Sequence, residues 1–332
     1  MKLVTFDADS KPRLGVMTAD ENYVVDIQAA EVALNGQSHQ PFRSMLALIE
    51  NGDDALDKLR ETFARAEKDQ VPDAFLAMAD VSLLAPIPAP PQMRDCMCFE
   101  KHLQQAMDQA IQRQAASSDD PKGTAEELKA SGRFNIPQIW YDQPIYYKAN
   151  RFAVTGTGTD VVWPSYSHFM DYEMEFGIFI GKGGKDIPAD RAAKHIFGYT
   201  VFNDFSARDA QMAEMAAQLG PAKGKDFDNA NVMGPCIVTA DEFGDPYNHD
   251  MIVRVNGTEM SRGSSSEMHW KFEEVIAHIS QSETLHPGEF IGSGTVGDGC
   301  GLEHGRALNA GDVVELEVSG IGVIRNRVLR ND

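Results

Sequence analysis

A β-rich α+β fold is predicted by three features of this chain. Short apolar segments bounded by turn residues recur along most of its length, helical stripes are few, and a proline-dense connector divides a small leading unit from a longer remainder. In the leading unit, Leu3 to Phe6, Leu14 to Met17 and Tyr23 to Ile27 read as short strands between polar turns, while Leu56, Leu59, Phe63 and Ala66 keep a helical stripe. Residues 1–85 are therefore expected to form a small α+β domain, with no catalytic constellation visible in it. The stretch Ala85-Pro-Ile-Pro-Ala-Pro-Pro91 follows. Four prolines in six positions favour an extended connector over a helix or a central strand, and the domain boundary is placed there.

Residues 92–332 are expected to form the second domain. Met93 to Phe99 reads as a strand, and Leu103, Met107 and Ile111 then suggest a helix. The polar, turn-rich Ala116-Ser-Ser-Asp-Asp-Pro-Lys-Gly123 suits a mobile excursion, so a lid is expected around residues 99–135. Beyond it strands dominate, with a hairpin expected at Asn256-Gly257 after Met251 to Val255. Two helices are expected there: Pro188 to Phe197, closed by Gly198, and a segment around Phe272, Val275, Ile276 and Ile279.

Composition narrows the function. The chain has 332 residues, 42% of them hydrophobic, enough for one large or two modest cores. A formal charge of -20 repels phosphate, and no Lys/Arg cluster with interleaved aromatics appears, which argues against a nucleic-acid partner. No apolar run approaches the roughly 20 residues that span a bilayer, and Met-Lys-Leu-Val-Thr-Phe-Asp lacks the apolar stretch of a signal peptide. A soluble cytoplasmic protein is expected. Cys96, Cys98, Cys236 and Cys300 are too few and scattered for a disulfide framework, and Cys96-x-Cys98 lacks the paired spacing of a zinc site, so they read as reduced packing thiols.

The chemistry concentrates in Asp-Tyr-Glu-Met-Glu-Phe-Gly and Phe-Asn-Asp-Phe-Ser-Ala-Arg-Asp. On a strand, Glu173 and Glu175 project to one face. Two carboxylates about 4 Å apart repel by roughly 1 kcal/mol in water and about 4 kcal/mol at a protein-surface dielectric, so an apolar setting calls for a cation. With Asp204 and Asp95 the set offers oxygen ligands only, which suits Mg²⁺, Mn²⁺ or Ca²⁺ better than zinc. The blander alternative is a wet strand face paired with surface cations.

His102, seven residues past Asp95 at the start of the lid helix, is placed to close over a substrate as a general base. Arg208, Gln211, Lys223 and Lys225 follow Asp204, and Lys225, between Gly224 and the Asp226-Phe227 pair, suits stabilisation of developing negative charge. Gly292-Ser-Gly294-Thr-Val-Gly297 has the letters of a dinucleotide fingerprint, but more glycines and a strand-like Val313 to Val318 follow, not a helix. The glycines instead let backbone amides and Thr295 approach a small carboxylate or carbonyl.

Taken together, these segments resemble the fumarylacetoacetate hydrolase family. The resemblance is carried by Asp171 to Gly177, His195-Ile-Phe-Gly-Tyr, Asn203 to Gln211, Gly224 to Phe227, Gly292 to Thr295 and Gly301-Leu-Glu303, in that order. It implies a mixed β-sandwich roll and a cytoplasmic homodimer acting in aromatic-compound catabolism. It further implies an Mg²⁺- or Mn²⁺-dependent hydrolase, with Ca²⁺ also compatible, that cleaves a carbon–carbon bond of a 1,3-diketo acid of the acylpyruvate type, such as fumarylpyruvate, maleylpyruvate or fumarylacetoacetate. Position by position, it makes Glu173, Glu175, Asp204 and Asp95 metal ligands, His102 the water-activating base, Glu303 its orienting partner and Lys225 the oxyanion stabiliser. Arg208, Gln211, Tyr146 and Thr295 become substrate contacts. The alternative it leaves open is a decarboxylase, hydratase or isomerase acting on a related 2-keto acid through the same enolate. Departures from the family pattern fall at Gln105, where many short members carry an acid, and at Met215, where the founding hydrolase has a tyrosine.

Overall fold

Alternating and continuous apolar runs build one long mixed sheet in the computed structural model, which describes residues 1–331. Twelve strands belong to it. Across the sheet they run Phe75–Ala77, Tyr23–Asp26, Lys11–Met17, Lys2–Ala8, Asn231–Thr239, Ile196–Asp204, Met174–Ile180, Phe290–Gly292, Met93–Cys96 and Tyr146–Lys148. Two short strands lie off this path: Leu83–Leu84 pairs with Lys2–Ala8, and Val154–Thr155 with Asn231–Thr239. A second sheet of five strands runs Thr258–Ser264, Asp250–Val255, Val313–Val318, Gly322–Arg330 and Val161–Trp163.

The strand Met174–Ile180 is buried at every position, as expected of a strand covered on both faces. On one face Phe176, Ile178 and Val201 share a core with Met251, Val253, Leu316 and Ile324 of the five-stranded sheet. On the other, Phe179, Phe202 and Phe290 pack with Leu48, Leu56 and Leu59 from the leading helices Met45–Glu50 and Gly52–Asp69. The leading unit is thus the cover of the central sheet. It also extends that sheet: Lys2–Ala8 pairs antiparallel with Asn231–Thr239, Leu3 opposite Ile237, so the ladder runs unbroken from the residues before the proline connector to those after it.

Most of the expected elements form, including the hairpin at Asn256-Gly257, where both residues take positive φ (52° and 76°) as a tight two-residue turn requires. Three local readings are corrected. The helix expected from Pro188 to Phe197 is only Ala189–Ala192 plus a 3-10 turn to His195. Ile196 already starts a strand, with Gly198 inside it between Phe179 and Thr239. A Cβ on Gly198 would stand 2.3 Å from the Val238 carbonyl oxygen, so this glycine serves close strand approach and not helix termination. Next, the polar segment 116–123 spans a turn between two helices, Glu100–Ala116 and Pro121–Ala130, the second capped by Asp120 accepting from Gly123 N. Finally, Arg208–Met215 forms a helix that strand-dominated patterning did not suggest. Among the described residues no helix is long and apolar enough to cross a membrane.

Gly177 sits where the central strands come closest. A Cβ there would lie 2.3 Å from Phe290 Cζ and 2.8 Å from the Ile291 carbonyl oxygen, leaving no room without backbone movement. Gly177→Ala is expected to destabilise the protein by about 1–3 kcal/mol, read as a lower urea midpoint at unchanged slope.

Candidate active site

Three neighbouring edges of the central sheet deliver the acids. Asp204 ends the strand Ile196–Asp204, Glu175 opens the adjacent Met174–Ile180, and Asp95 comes from Met93–Cys96, with only the short Phe290–Gly292 between them. Gly292 lies opposite both Gly177 and Asp95 in the ladder. Having no side chain, it lets Asp95 lean across: a Cβ at 292 would meet Asp95 Oδ1 at 2.4 Å and Glu175 Oε2 at 3.2 Å. As a result Asp95, Glu175 and Asp204 each offer a carboxylate oxygen within 4.8 Å of the others, all buried.

That crowding is expensive. Burial first, and then the Asp204 charge, pushes the Asp95 carboxyl up to about 8. Burial outweighs the Lys225 charge and lifts Asp204 to about 6. Burial, Asp95 and Glu173 hold Glu175 well above the carboxylate range. Asp204 Oδ1 is buried with no hydrogen-bond partner. A hard divalent ion fits this donor set: it would neutralise the repulsion, give the orphaned oxygen a partner, and take oxygen ligands alone.

Glu173 stands beside the trio but is otherwise occupied. Its Oε1 lies 2.7 Å from Arg208 Nη1 and its Oε2 2.5 Å from Lys225 Nζ. Burial would raise its pKa, yet Arg208, Lys225 and His102 together pull the carboxyl well below the usual range. Lys225 Nζ also lies 2.5 Å from Asp204 Oδ2, and burial notwithstanding, these acids hold its pKa above that of a free lysine.

The helix Glu100–Ala116 brings His102 to this cluster. His102 Nδ1 lies 2.8 Å from Glu303 Oε1, and Glu303 Oε2 accepts from Cys300 N at 2.9 Å. An ionised carboxylate only accepts, so Nδ1 donates, and in the neutral ring the lone pair falls on Nε2. Gln105, at the position of the missing acid, instead exchanges two hydrogen bonds with Asp298, Nε2 to Oδ1 at 2.6 Å and Oε1 from the Asp298 amide at 3.0 Å. Cys300 approaches His102 and Glu303, but burial holds its thiol well above the ordinary range, which makes it a packing group.

The residues expected as substrate contacts are distributed differently. Arg208 is 2% exposed and locked: its Nε donates to Asp171 Oδ2 at 2.8 Å and its Nη1 to Gln211 Oε1 at 3.1 Å, besides the Glu173 pair. It therefore braces acids and does not project into free space. Thr295 Oγ1 is 3.5 Å from Glu175 Oε1, and Gly294 N donates to Glu175 Oε2 at 2.9 Å, so the glycine-rich segment holds Glu175. The structure brings Tyr147, and not Tyr146, to the acids. Asp95 pairs with Tyr147 and Cys96 with Tyr146, and cross-strand partners share a face. Tyr147 Oη accordingly donates to Asp204 Oδ2 at 2.6 Å, while Tyr146 packs edge-on to His278.

Asp171 was missed as a site residue. Fully buried, it accepts from Gly301 N (2.7 Å) and Leu302 N (2.9 Å) as well as from Arg208. The signal was present, since 171, 173 and 175 continue one period-two series.

Comparison with known proteins places the chain. Residues 115–329 match the family described as fumarylacetoacetate (FAA) hydrolase C-terminal. The protein belongs to this family. It is a family enzyme of mixed α+β fold, with the family's C-terminal domain joined to an N-terminal α+β region. Oxaloacetate tautomerase FAHD2A, mitochondrial, from Bos taurus is 32% identical over 332 residues, covering 99% of this chain and 92% of its own. Maleylpyruvate hydrolase from Sphingobium sp. SYK-6, in complex with manganese (II) ion and pyruvate, superposes with TM-score 0.70 at 22% identity over 100% of both chains. A 5-carboxymethyl-2-hydroxymuconate delta-isomerase from Mycobacterium smegmatis does so with TM-score 0.68 at 23% identity, again over 100% of both. By their names these similar proteins are a tautomerase, a hydrolase and an isomerase, and the two solved structures share the fold.

Two outcomes follow from the carboxylate cluster. Gly292→Ala is expected to displace Asp95 and weaken Mn²⁺ binding by about 10- to 100-fold in calorimetry. Asp95 and Asp204 have folded pKa values above the ordinary 3.8, so the folded state binds their protons more tightly. Their contribution to apoprotein stability is therefore full below pH 3.8 and is lost as pH rises through about 6 and then about 8. A divalent ion replaces those protons. The rise in melting temperature on adding Mn²⁺ should be larger at about pH 8 than at about pH 5.

Proposed function

We propose that this protein is a divalent-metal-dependent tautomerase that interconverts the enol and keto forms of a short 2-oxo diacid of the oxaloacetate kind. The observation that carries the reading is the His102–Glu303 pair set beside buried carboxylates, in a chain that has proteins named oxaloacetate tautomerase among its relatives, alike over 99% of its length. Asp95, Glu175 and Asp204, with Glu173 adjoining, would hold Mg²⁺ or Mn²⁺. When bound, the ion supplies Lewis acidity at the oxygens of the 2-oxo acid.

The chain's own residues move the proton. His102 Nε2 takes the proton of the enol hydroxyl, the freed O–H electron pair closes the C2 carbonyl, and the C2=C3 pair takes that same proton back from His102 at C3. Atoms balance without water. Glu303 fixes the His102 ring and steadies its charged form between the two transfers. Lys225 offsets charge growing on the substrate oxygen, its ammonium already confined between Glu173 and Asp204.

The hydrolysis expected from the sequence would ask the same His102 to deprotonate a water that attacks an acylpyruvate carbonyl. The hydrolase neighbour, at 22% identity, supports the fold and not that reaction, so isomerisation stands first. Following the ultraviolet band of oxaloacetate enol tests this directly. Mn²⁺-loaded protein should accelerate its decay and release no pyruvate from acylpyruvates; pyruvate release without enol decay would reverse the order of the two readings. His102→Ala should lower kcat for enol decay by about 10²- to 10⁴-fold. Chelation should abolish it until Mn²⁺ is restored.

A further inference from the structure

We infer that Arg113 recognises the second carboxylate of a dianionic substrate. The inference rests on the tautomerase reading for the substrate's name but not for its binding chemistry.

His102, Gln105, Gln109 and Arg113 recur at spacings of three and four along the helix Glu100–Ala116, which puts them on one face. Its first three members lie against the segment that carries Glu303: His102 meets the Glu303 side chain, Gln105 meets Asp298, and Gln109 Nε2 donates to the Glu303 carbonyl at 3.0 Å. Arg113 continues that face by one turn. Its guanidinium stands 4.8 Å from the centre of the Phe169 ring, and Nη1 lies 3.4 Å from Met212 Sδ. Both partners belong to segments that build the site, since Phe169 O accepts from Arg208 N at 2.8 Å and Met212 follows Gln211 on the helix Arg208–Met215.

What Arg113 lacks is an anion. Arg208 is paired with Asp171 and Glu173, whereas half-buried Arg113 makes no ion pair among the described residues and has only an aromatic face and a thioether. Burial and then the Arg208 charge disfavour its cation. A half-buried guanidinium held on an aromatic face with no anionic partner is arranged for a ligand that neutralises it.

Charge balance shows what a second carboxylate would require. Six buried acids, Asp95, Asp171, Glu173, Glu175, Asp204 and Glu303, face two buried cations, Arg208 and Lys225. With all six ionised, even a divalent ion leaves the pocket two charges negative. A substrate with one carboxylate can be gripped by the ion, but a second carboxylate meets repulsion unless a further cation receives it. Arg113 is that cation, and its planar fork matches a carboxylate.

Calorimetry on Mn²⁺-loaded protein with two unreactive 2-hydroxy acids tests this: malate, with a second carboxylate, and lactate, without one. The wild type should bind malate about 10- to 100-fold more tightly than lactate. Arg113→Gln should bring that ratio to within about twofold, and Arg113→Lys should restore part of it, a recovery that lost packing on Phe169 would not produce. A wild type without preference for malate, or a ratio unchanged in Arg113→Gln, overturns the assignment. The readout needs no turnover. Intact malate preference with no enol decay would sink the tautomerase reading and leave Arg113's role standing, and the opposite pattern would do the reverse.

Discussion

Mutual repulsion among Asp95, Glu175 and Asp204 is the constraint around which this molecule is arranged. Three carboxylates brought within 4.8 Å in a buried setting are stable only as part of a larger charge system. Lys225 and Arg208 supply one side of it, Tyr147 donates to Asp204, and the glycine-rich segment donates to Glu175. The other side is left for an ion. Removing Lys225 or Arg208 would strand a carboxylate charge among apolar strands, and that is costlier than losing a surface pair.

One loop connects this cluster to the proton-handling pair. Residues 292–303 yield to the Asp95 carboxylate at Gly292, donate to Glu175 from Gly294, to Glu303 from Cys300, and to Asp171 from Gly301 and Leu302. Asp171 in turn grips Arg208, which grips Glu173. The clustered carboxylate oxygens and the Glu303 partner of His102 are therefore held by a single backbone frame. This fits a reaction in which a proton must travel between two adjacent atoms of a substrate held by its oxygens.

How much of this could be read beforehand follows from period and pairing. The two-residue repeat of a strand placed Glu173 and Glu175 together, and the i, i+3, i+4 repeat exposed the helices Gly52–Asp69 and Phe272–Ser280. Which strands are neighbours is not a local property. Nothing near Asp95 announces that only Phe290–Gly292 separates it from Glu175, and nothing near Tyr146 fixes the register that turns Tyr147 toward Asp204. Gly198 misled for a related reason: a glycine needed for tight strand packing carries the same letter as one that ends a helix. Glu173 lettered as a ligand, but only three dimensions show it already held by Arg208 and Lys225.

The pairing of Lys2–Ala8 with Asn231–Thr239 has a consequence for how the protein can be dissected. The strand that receives this partner also pairs with the one ending at Asp204, so the first residues of the chain lie one strand away from a site-bearing strand. Trimming the chain at its proline-rich junction would strip a hydrogen-bonded neighbour from the middle of the ladder and uncover Phe179, Phe202 and Phe290. A newly bared edge with an oily flank invites self-association. The leading unit and the remainder of this enzyme share one ladder and one apolar cluster, which a fragment cut at that junction would divide.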